Sequence, residues 1–145
     1  MKREPIYQAL FNLLKQTDGV VKATRGAPRQ GVEQDRANLP ALFMVQRKEE
    51  PQRVGKGLPP KWRLTVDVLL FAATGDSRDS IAMSKINPLL DQIEATLDPQ
   101  TNGAFDNTLG GLVSHCYING TTQIVEGLDS TMSAVLMEIE MLVPA

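Results

Sequence analysis

Cysteine and histidine each occur once in this 145-residue chain, as Cys116 and His115. A lone cysteine cannot form an internal disulfide, and one cysteine with one histidine cannot supply the ligands of a structural zinc site. The sequence therefore excludes disulfide-stabilised modules and zinc fingers. The two residues are also neighbours on a predicted strand, so their side chains point to opposite faces and do not form a nucleophilic pair.

Long apolar runs are missing as well. Polar residues interrupt the N-terminal Ile6–Leu14 segment, and no run reaches the ~18 apolar residues of a membrane-spanning helix. We expect neither a signal peptide nor a membrane anchor, and hence a protein made in a reducing cytoplasm. With 42% hydrophobic and 22% charged residues, the chain is predicted to form a single domain, residues 1–145.

The signatures of common active sites are also absent. The glycines of Thr108–Gly111 precede a strand rather than a helix, so they match no phosphate-binding motif and predict a turn. Glu138 and Glu140 share one strand face about 7 Å apart, but nothing near them in sequence supplies a metal partner or an acid and base of different pKa. The residues alone therefore predict no visible catalytic centre and no metal site, and the family resemblance described below implies a protein that is not an enzyme and has no cofactor.

Charge, in contrast, is present but unevenly distributed. Residues 1–63 contain 13 Lys/Arg and 6 Asp/Glu, a net charge of +7, whereas residues 64–145 contain 2 and 11, a net charge of −9. This asymmetry indicates a nucleic-acid-binding surface or a complementary pair of surfaces for head-to-tail self-association. The alternative is that the charges mix again in the folded chain.

Apolar residues at helical spacing predict two main helices. The first spans Glu4–Gln16, and the second begins with a cap within Asp76–Asp79 and ends near Leu97. Pro88 falls inside the second segment. A proline there either kinks one helix or separates two, the latter capped by Asn87, and we favour the second alternative.

Period-two alternation and turn residues predict the strands. In chain order they are Val20–Thr24, Leu39–Gln46, Trp62–Phe71, Leu112–Ile118, Thr121–Val125 and Ser133–Val143. Asn119-Gly120 is a strong signal for a two-residue turn, so Leu112–Ile118 and Thr121–Val125 are predicted to form a hairpin. These elements predict an α+β domain with a mostly antiparallel sheet and both helices packed on one face.

The segment before the third strand is basic, and we expect it to project from the sheet as a loop at about residues 47–60. Residues 47–63 carry six Lys/Arg against Glu49 and Glu50, a net charge of +4. Its candidate interface cations are Arg47, Lys48, Arg53, Lys56 and Lys61. Three roles stay open: contact with nucleic-acid phosphates, a solvated hairpin tip, or docking on an acidic surface of an identical copy. The aromatic Trp62 alternates with the core residues, so a base-stacking platform is missing.

The second half of the chain resembles a known protein family. The matching features are the helix segment Asn87–Asp91 with Glu94 and Leu97, then Thr108–Val113 followed by His115–Ile118, and a long terminal strand. In this order they resemble phage tail terminator proteins, from about Trp62 onward. The resemblance implies a non-enzymatic virion protein of the tail and neck, assembled in the bacterial host cytoplasm.

The family resemblance also implies partners. It implies a ring, hexameric in this family, that caps the completed tail tube and binds the tail tube protein and the head-side connector or another neck protein. Genomic DNA would pass through the lumen without specific binding. Another neck or head-tail completion protein is the nearest alternative, and a nucleic-acid-binding accessory domain is a further one.

Glu138 and Glu140 are the acidic candidates for the subunit interface. They alternate with the apolar residues of the terminal strand, so we expect them on the sheet face opposite the core. Repeated around a ring, they would form an acidic lumen that repels DNA or an acidic patch for the basic loop of a neighbour. We favour the intersubunit role.

Overall fold

A computed structural model describes residues 1–29, 36–74, 81–97, 107–129 and 132–144. These residues form the helices α1 (Arg3–Leu14) and α2 (Met83–Leu97) and the strands β1 (Lys22–Arg25), β2 (Ala41–Gln52), β3 (Lys61–Ala73), β4 (His115–Asp129) and β5 (Met132–Val143). The strands form one sheet in the order β1-β2-β3-β5-β4, with β1 and β2 parallel and the other neighbours antiparallel. The predicted α+β class with a mostly antiparallel sheet is confirmed.

The main core forms where alternate residues of the central strands meet apolar helix residues. The strand residues are Leu64, Val66, Val68 and Leu70 of β3 and Val135, Met137, Ile139 and Met141 of β5. The same cluster contains Ile6, Tyr7, Leu10 and Leu14 of α1 and Met83, Ile86, Leu89, Ile93 and Leu97 of α2. Burying one such side chain is worth roughly 1.5–3 kcal/mol, so this layer supplies most of the stabilisation. We call the sheet surface that carries these strand residues the core face.

The opposite surface of the sheet, which we call the second face, is apolar at one end of the strands and polar at the other. A small apolar cluster of Ala41, Phe43, Phe71 and Met132 lies where β2 and β5 begin, with the two phenylalanine rings edge to face at 5.7 Å. Charged and polar residues occupy the other end of the strands, near the β2–β3 connection. The prediction that Glu138 and Glu140 lie opposite the apolar side of β5 is correct.

The favoured prediction of two helices around Pro88 is wrong, because α2 continues through it. Asn87 and Pro88 both lie on the exposed side of the helix, where the missing N–H leaves the carbonyl of exposed Ser84 to the solvent. Ile86, Leu89 and Ile93 meanwhile form one continuous buried stripe, and its burial outweighs the loss of one hydrogen bond. The predicted cap at 76–79 lies outside the described residues.

The Asn119-Gly120 hairpin prediction is also wrong. Both residues lie inside β4, which pairs with β5 along its length. From Asn119 to Gln123 β4 advances by four residues while β5 advances by two, from Glu138 to Leu136, so β4 bulges there. Gly120 adopts a φ of +73°, as the turn signal suggested, but β5 offers pairing partners to both halves of β4, which an isolated hairpin would leave unused.

The basic loop is shorter than the predicted 47–60, because Arg47 to Gln52 belong to β2. After a bulge between Gln46 and Lys48, β2 continues to pair with β3 as far as Gln52 and Lys61. Glu49 stabilises this extension from the core face, where it accepts a hydrogen bond from the Tyr7 hydroxyl at 2.9 Å. The connection itself is confined to residues 53–60.

Candidate interaction surfaces

Arg47 joins two acidic residues on the second face. Its Nη1 lies 3.2 Å from Asp67 Oδ1 and its Nη2 lies 3.2 Å from Glu138 Oε1. The bulge between Gln46 and Lys48 brings Arg47 over Asp67 and Glu138, which are register partners on β3 and β5. One guanidinium group therefore pairs with a carboxylate on each of these two strands. Arg47 and Glu138, two of the predicted interface residues, are therefore paired with each other within the chain.

Glu140 is the most enclosed of the acidic groups on this face. Its Oε1 lies 2.6 Å from Arg63 Nε and accepts a hydrogen bond from the Tyr117 hydroxyl at 3.0 Å. Its Oε2 accepts a hydrogen bond from Asn119 Nδ2 at 2.6 Å. The Arg63 contact is a close charge pair without the direction of a hydrogen bond. Burial and the Glu140 hydrogen bond both raise the pKa of Tyr117, so the phenol keeps its proton and donates.

We call Arg47, Arg63, Asp67, Glu138 and Glu140 the second-face network. Its cations and carboxylates compensate one another, which is the condition for stable partly buried charge. Nowhere in the described ranges do three or more His, Cys, Asp or Glu residues form a group that could hold a metal ion. The same ranges contain no helix long and apolar enough to cross a bilayer.

His115 and Cys116 lie on opposite faces of β4, as predicted. Cys116 is fully buried in the main core, whereas the His115 ring stacks on Tyr117 on the second face with centroids 4.7 Å apart. Burial raises the pKa of the Cys116 thiol to about 12, so it stays protonated and unreactive at neutral pH.

We therefore expect the Cys116→Ser and His115→Gln variants to keep the fold. Denaturant unfolding should show a cost of about 1–3 kcal/mol for Cys116→Ser, because the substitution places a hydroxyl group in the fully buried core. Native Cys116 should also react with a thiol reagent far more slowly than the unfolded chain. A thiol that reacts equally fast in the native and the unfolded chain would contradict this prediction.

The remaining predicted cations lie around the β2–β3 connection, and we call residues 53–61 the hairpin tip. Arg53, Lys56 and Lys61 are exposed and make no ion pair with any described residue, and the tip contains no acidic residue. Lys48, in contrast, pairs with Glu50 at 2.9 Å within β2. The tip thus carries three uncompensated positive charges.

Trp62 offers the tip no stacking platform. It is partly buried and packs against the main core, and the Arg3 guanidinium covers its ring at 5.4 Å from the centroid. A base could not stack there without displacing Arg3. The geometry therefore leaves phosphate contacts, without base stacking, as the nucleic-acid role of the basic segment.

Exposed acidic residues lie in the turn between α1 and β1 and on the neighbouring helix α2. Gln92 of α2 holds the α1–β1 turn by two hydrogen bonds, from the Asp18 N–H at 2.9 Å and to the Asp18 carbonyl at 3.0 Å. Asp18, Asp91 and Glu94 are exposed and form no ion pair with any residue that the structure describes, and the same holds for Lys15 and Lys22 on either side of the turn. We call the three acidic residues the acidic corner.

The hairpin tip and the acidic corner lie far apart in one molecule. β2 begins at Ala41, which pairs with Lys22 at the start of β1, directly after the turn that contains Asp18. β2 then runs 12 residues towards the tip, a distance of roughly 35–40 Å at strand spacing. A single copy therefore cannot bring these opposite charges into contact.

Sequence reasoning found part of these surfaces. Arg53, Lys56 and Lys61 remain available to a partner, whereas Arg47, Lys48, Glu138 and Glu140 have partners within the chain. The role of Arg63 was missed because the β3–β5 register decides it. The acidic corner was missed because its residues come from two separate elements.

No family model matches the chain, and no curated protein matches its sequence.

Proposed function

We propose that this protein is a structural, non-enzymatic subunit of a phage neck, a tail terminator that assembles into a ring. The ring would cap the completed tail tube and bind the head-side connector, with a hexamer as its expected form. The observation that carries the proposal is the cluster of three exposed cations at the hairpin tip, which have no ion pair among the described residues and lie far from the exposed acids of the acidic corner. The resemblance of the Asn87–Asp91 and Thr108–Val113 segments to tail terminators supports the same assignment.

The charge arrangement favours a ring over a symmetric dimer. Complementary surfaces at opposite ends of one subunit make a head-to-tail contact, and such contacts close into a ring when the rotation between copies allows it. In this proposal the second-face network needs no neighbour, because its charges are already compensated. DNA would pass through the lumen without specific binding.

Sedimentation and electron microscopy of the purified protein test the proposal. At low salt we expect particles of about six times the 15.9 kDa chain mass, seen as rings with a central opening. Added to tail tube protein from the same genome, the rings should stop tube elongation. A protein that stays monomeric at every concentration and ionic strength would contradict the proposal.

Reversing two charges of the hairpin tip should weaken assembly strongly. We expect Arg53→Glu with Lys56→Glu to shift the protein towards monomer in sedimentation, because like charges would then face each other between copies. The wild-type ring should itself weaken as salt rises, since the screening length falls to about 10 Å at 0.1 M.

The matched control for this change is Lys2→Glu with Arg29→Glu, which alters net charge equally at exposed positions outside the tip. It should leave the sedimentation profile close to that of the wild type. An unchanged assembly of the Arg53 and Lys56 variant at low salt would reject a role for the tip.

A further inference from the structure

We infer that Asn119 is a site of spontaneous deamidation and that its hydrogen bond to Glu140 protects it from this reaction while the second-face network is intact. The inference concerns a chemical modification of the chain and does not depend on the proposed ring. It starts from the Asn119-Gly120 pair, which the fold uses for a bulge inside β4 rather than for a turn.

An asparagine that precedes a glycine is chemically labile. The backbone nitrogen of Gly120 can attack Cγ of Asn119, so that the N–Cγ bond forms, the Cγ–Nδ2 bond breaks, and Nδ2 leaves as ammonia with the proton of the Gly120 N–H. Water then opens the resulting five-membered succinimide ring and gives aspartate or isoaspartate. Because glycine has no Cβ, nothing on the second residue shields the attacking nitrogen.

The backbone of β4 leaves this nitrogen unprotected. Asn119 and Gly120 are both exposed, and residues 120–122 have no register partner on β5. The glycine is also required, because its φ is +73° and an added Cβ would lie 3.2 Å from Oε2 of Glu138. The fold therefore keeps a labile pair of residues here, and protection has to come from the asparagine side chain.

One short hydrogen bond holds the Asn119 side chain. Its Nδ2 donates to Glu140 Oε2 at 2.6 Å, and a bond to a carboxylate is roughly twice as strong as one between neutral groups. Ring closure brings Cγ against the Gly120 nitrogen and takes Nδ2 away from Glu140, so the bond has to break. Deamidation of the folded chain therefore proceeds from the molecules in which this bond is open.

Glu140 is itself fixed, so the acceptor does not follow a moving asparagine. Its Oε1 lies 2.6 Å from Arg63 Nε and accepts a hydrogen bond from the Tyr117 hydroxyl at 3.0 Å. The carboxylate is also buried among these partners. The second-face network thus holds Oε2 in the position that binds Asn119.

The product of deamidation would disrupt the same network. An aspartate in place of Asn119 would put a carboxylate oxygen where Nδ2 now lies, 2.6 Å from Glu140 Oε2. Glu138, the register partner of Asn119 on β5, would add a third negative charge beside it. Like charges this close repel each other, so the modification would keep the network open.

Mass spectrometry tests the protection directly. Peptide mapping after incubation at mildly alkaline pH measures deamidation at Asn119, and the wild type unfolded in urea gives the unprotected rate. Asn102-Gly103 has the same two residues and calibrates the unfolded chain. We expect Asn119 to react roughly 10- to 100-fold more slowly in the native protein, the range that opening a hydrogen bond to a charged group implies. Equal native and unfolded rates at Asn119 would overturn the inference.

Two substitutions distinguish protection by the hydrogen bond from protection by the fold as a whole. Glu140→Ala should speed native deamidation at Asn119 by ~10-fold or more, because the acceptor is gone. Leu10→Ala removes a fully buried core side chain but keeps the hydrogen bond, so its rate should stay close to that of the wild type. Similar acceleration in both variants would show that deamidation follows global unfolding, and the inference would fail.

Glu140→Gln serves if Glu140→Ala does not fold. The amide keeps the shape of the side chain but offers a neutral acceptor, so deamidation at Asn119 should be faster than in the wild type and slower than in the unfolded chain. A Glu140→Gln rate equal to that of the wild type would overturn the inference.

Discussion

Glu140→Ala is expected to destabilise the fold by about 2–4 kcal/mol, whereas Glu138→Ala, two residues away on the same strand face, should cost about 1 kcal/mol or less. The difference follows from burial. The Glu140 side chain is 6% exposed and has three partners, whereas that of Glu138 is 22% exposed and pairs with exposed Arg47 at 3.2 Å.

Removing Glu140 leaves Arg63 without its counter-charge and removes the acceptor of Tyr117 and Asn119. The cost of an unpaired buried charge reaches 3–5 kcal/mol, and partial exposure of Arg63 reduces that cost. Urea unfolding at neutral pH measures both variants. Glu140→Gln should fall between them, because the amide keeps the shape and an acceptor oxygen. Equal losses for Glu138→Ala and Glu140→Ala would contradict this account.

Burial also decides how these glutamates can be used as probes of assembly. Glu140→Lys would place a lysine beside Arg63, so it should unfold the protein rather than report on a subunit contact. Glu138→Lys alone keeps the more buried pair and is the usable probe. Because Glu138 already has Arg47, we expect that variant to fold and to form rings.

Leu10→Ala is the second large effect, with an expected loss of about 2–5 kcal/mol of unfolding free energy. Leu10 is 0% exposed and belongs to the main core together with residues of α2 and the sheet, so alanine would leave a cavity there. Leu13, one turn further on, is only partly buried and lines an open hollow between α1, the end of α2 and residues 107–110.

Leu13→Ala is the matched control for Leu10→Ala on the same helix. It should cost about 1 kcal/mol of stability, because solvent already reaches its site. Thermal unfolding measures both variants, and equal destabilisation by both would contradict the assigned burial.

The features predicted correctly from sequence are those that depend on neighbouring residues. The alternation in β3 and β5 fixes which side chains share a face, and both strands lie as expected. The burial of Glu140 was not predictable, because it depends on Arg63 and Tyr117, which reach it only through the strand register. A glutamate that alternates with apolar residues is typical of a solvated face.

The errors share a physical cause, which is that tertiary pairing outweighs a strong local signal. Asn119-Gly120 has the residues of a tight turn, but β5 pairs with strand residues on both sides of it. Pro88 interrupts the hydrogen bonds of α2, but the buried stripe continues past it. Residues 47–52 looked like a basic loop because their partners, Tyr7 and Asp67 among them, are distant in sequence.

The two irregularities of β4 have a consequence for solubility. β4 is the last strand of the sheet, and a long regular edge is a template for aggregation with strands of other molecules. Register shifts between Asn119 and Gln123 and between Val125 and Asp129 divide this edge into short regular stretches. A strand of another molecule could pair with only a few residues before the hydrogen-bonding register is interrupted. The bulges thus protect the chain from pairing edge to edge with other molecules.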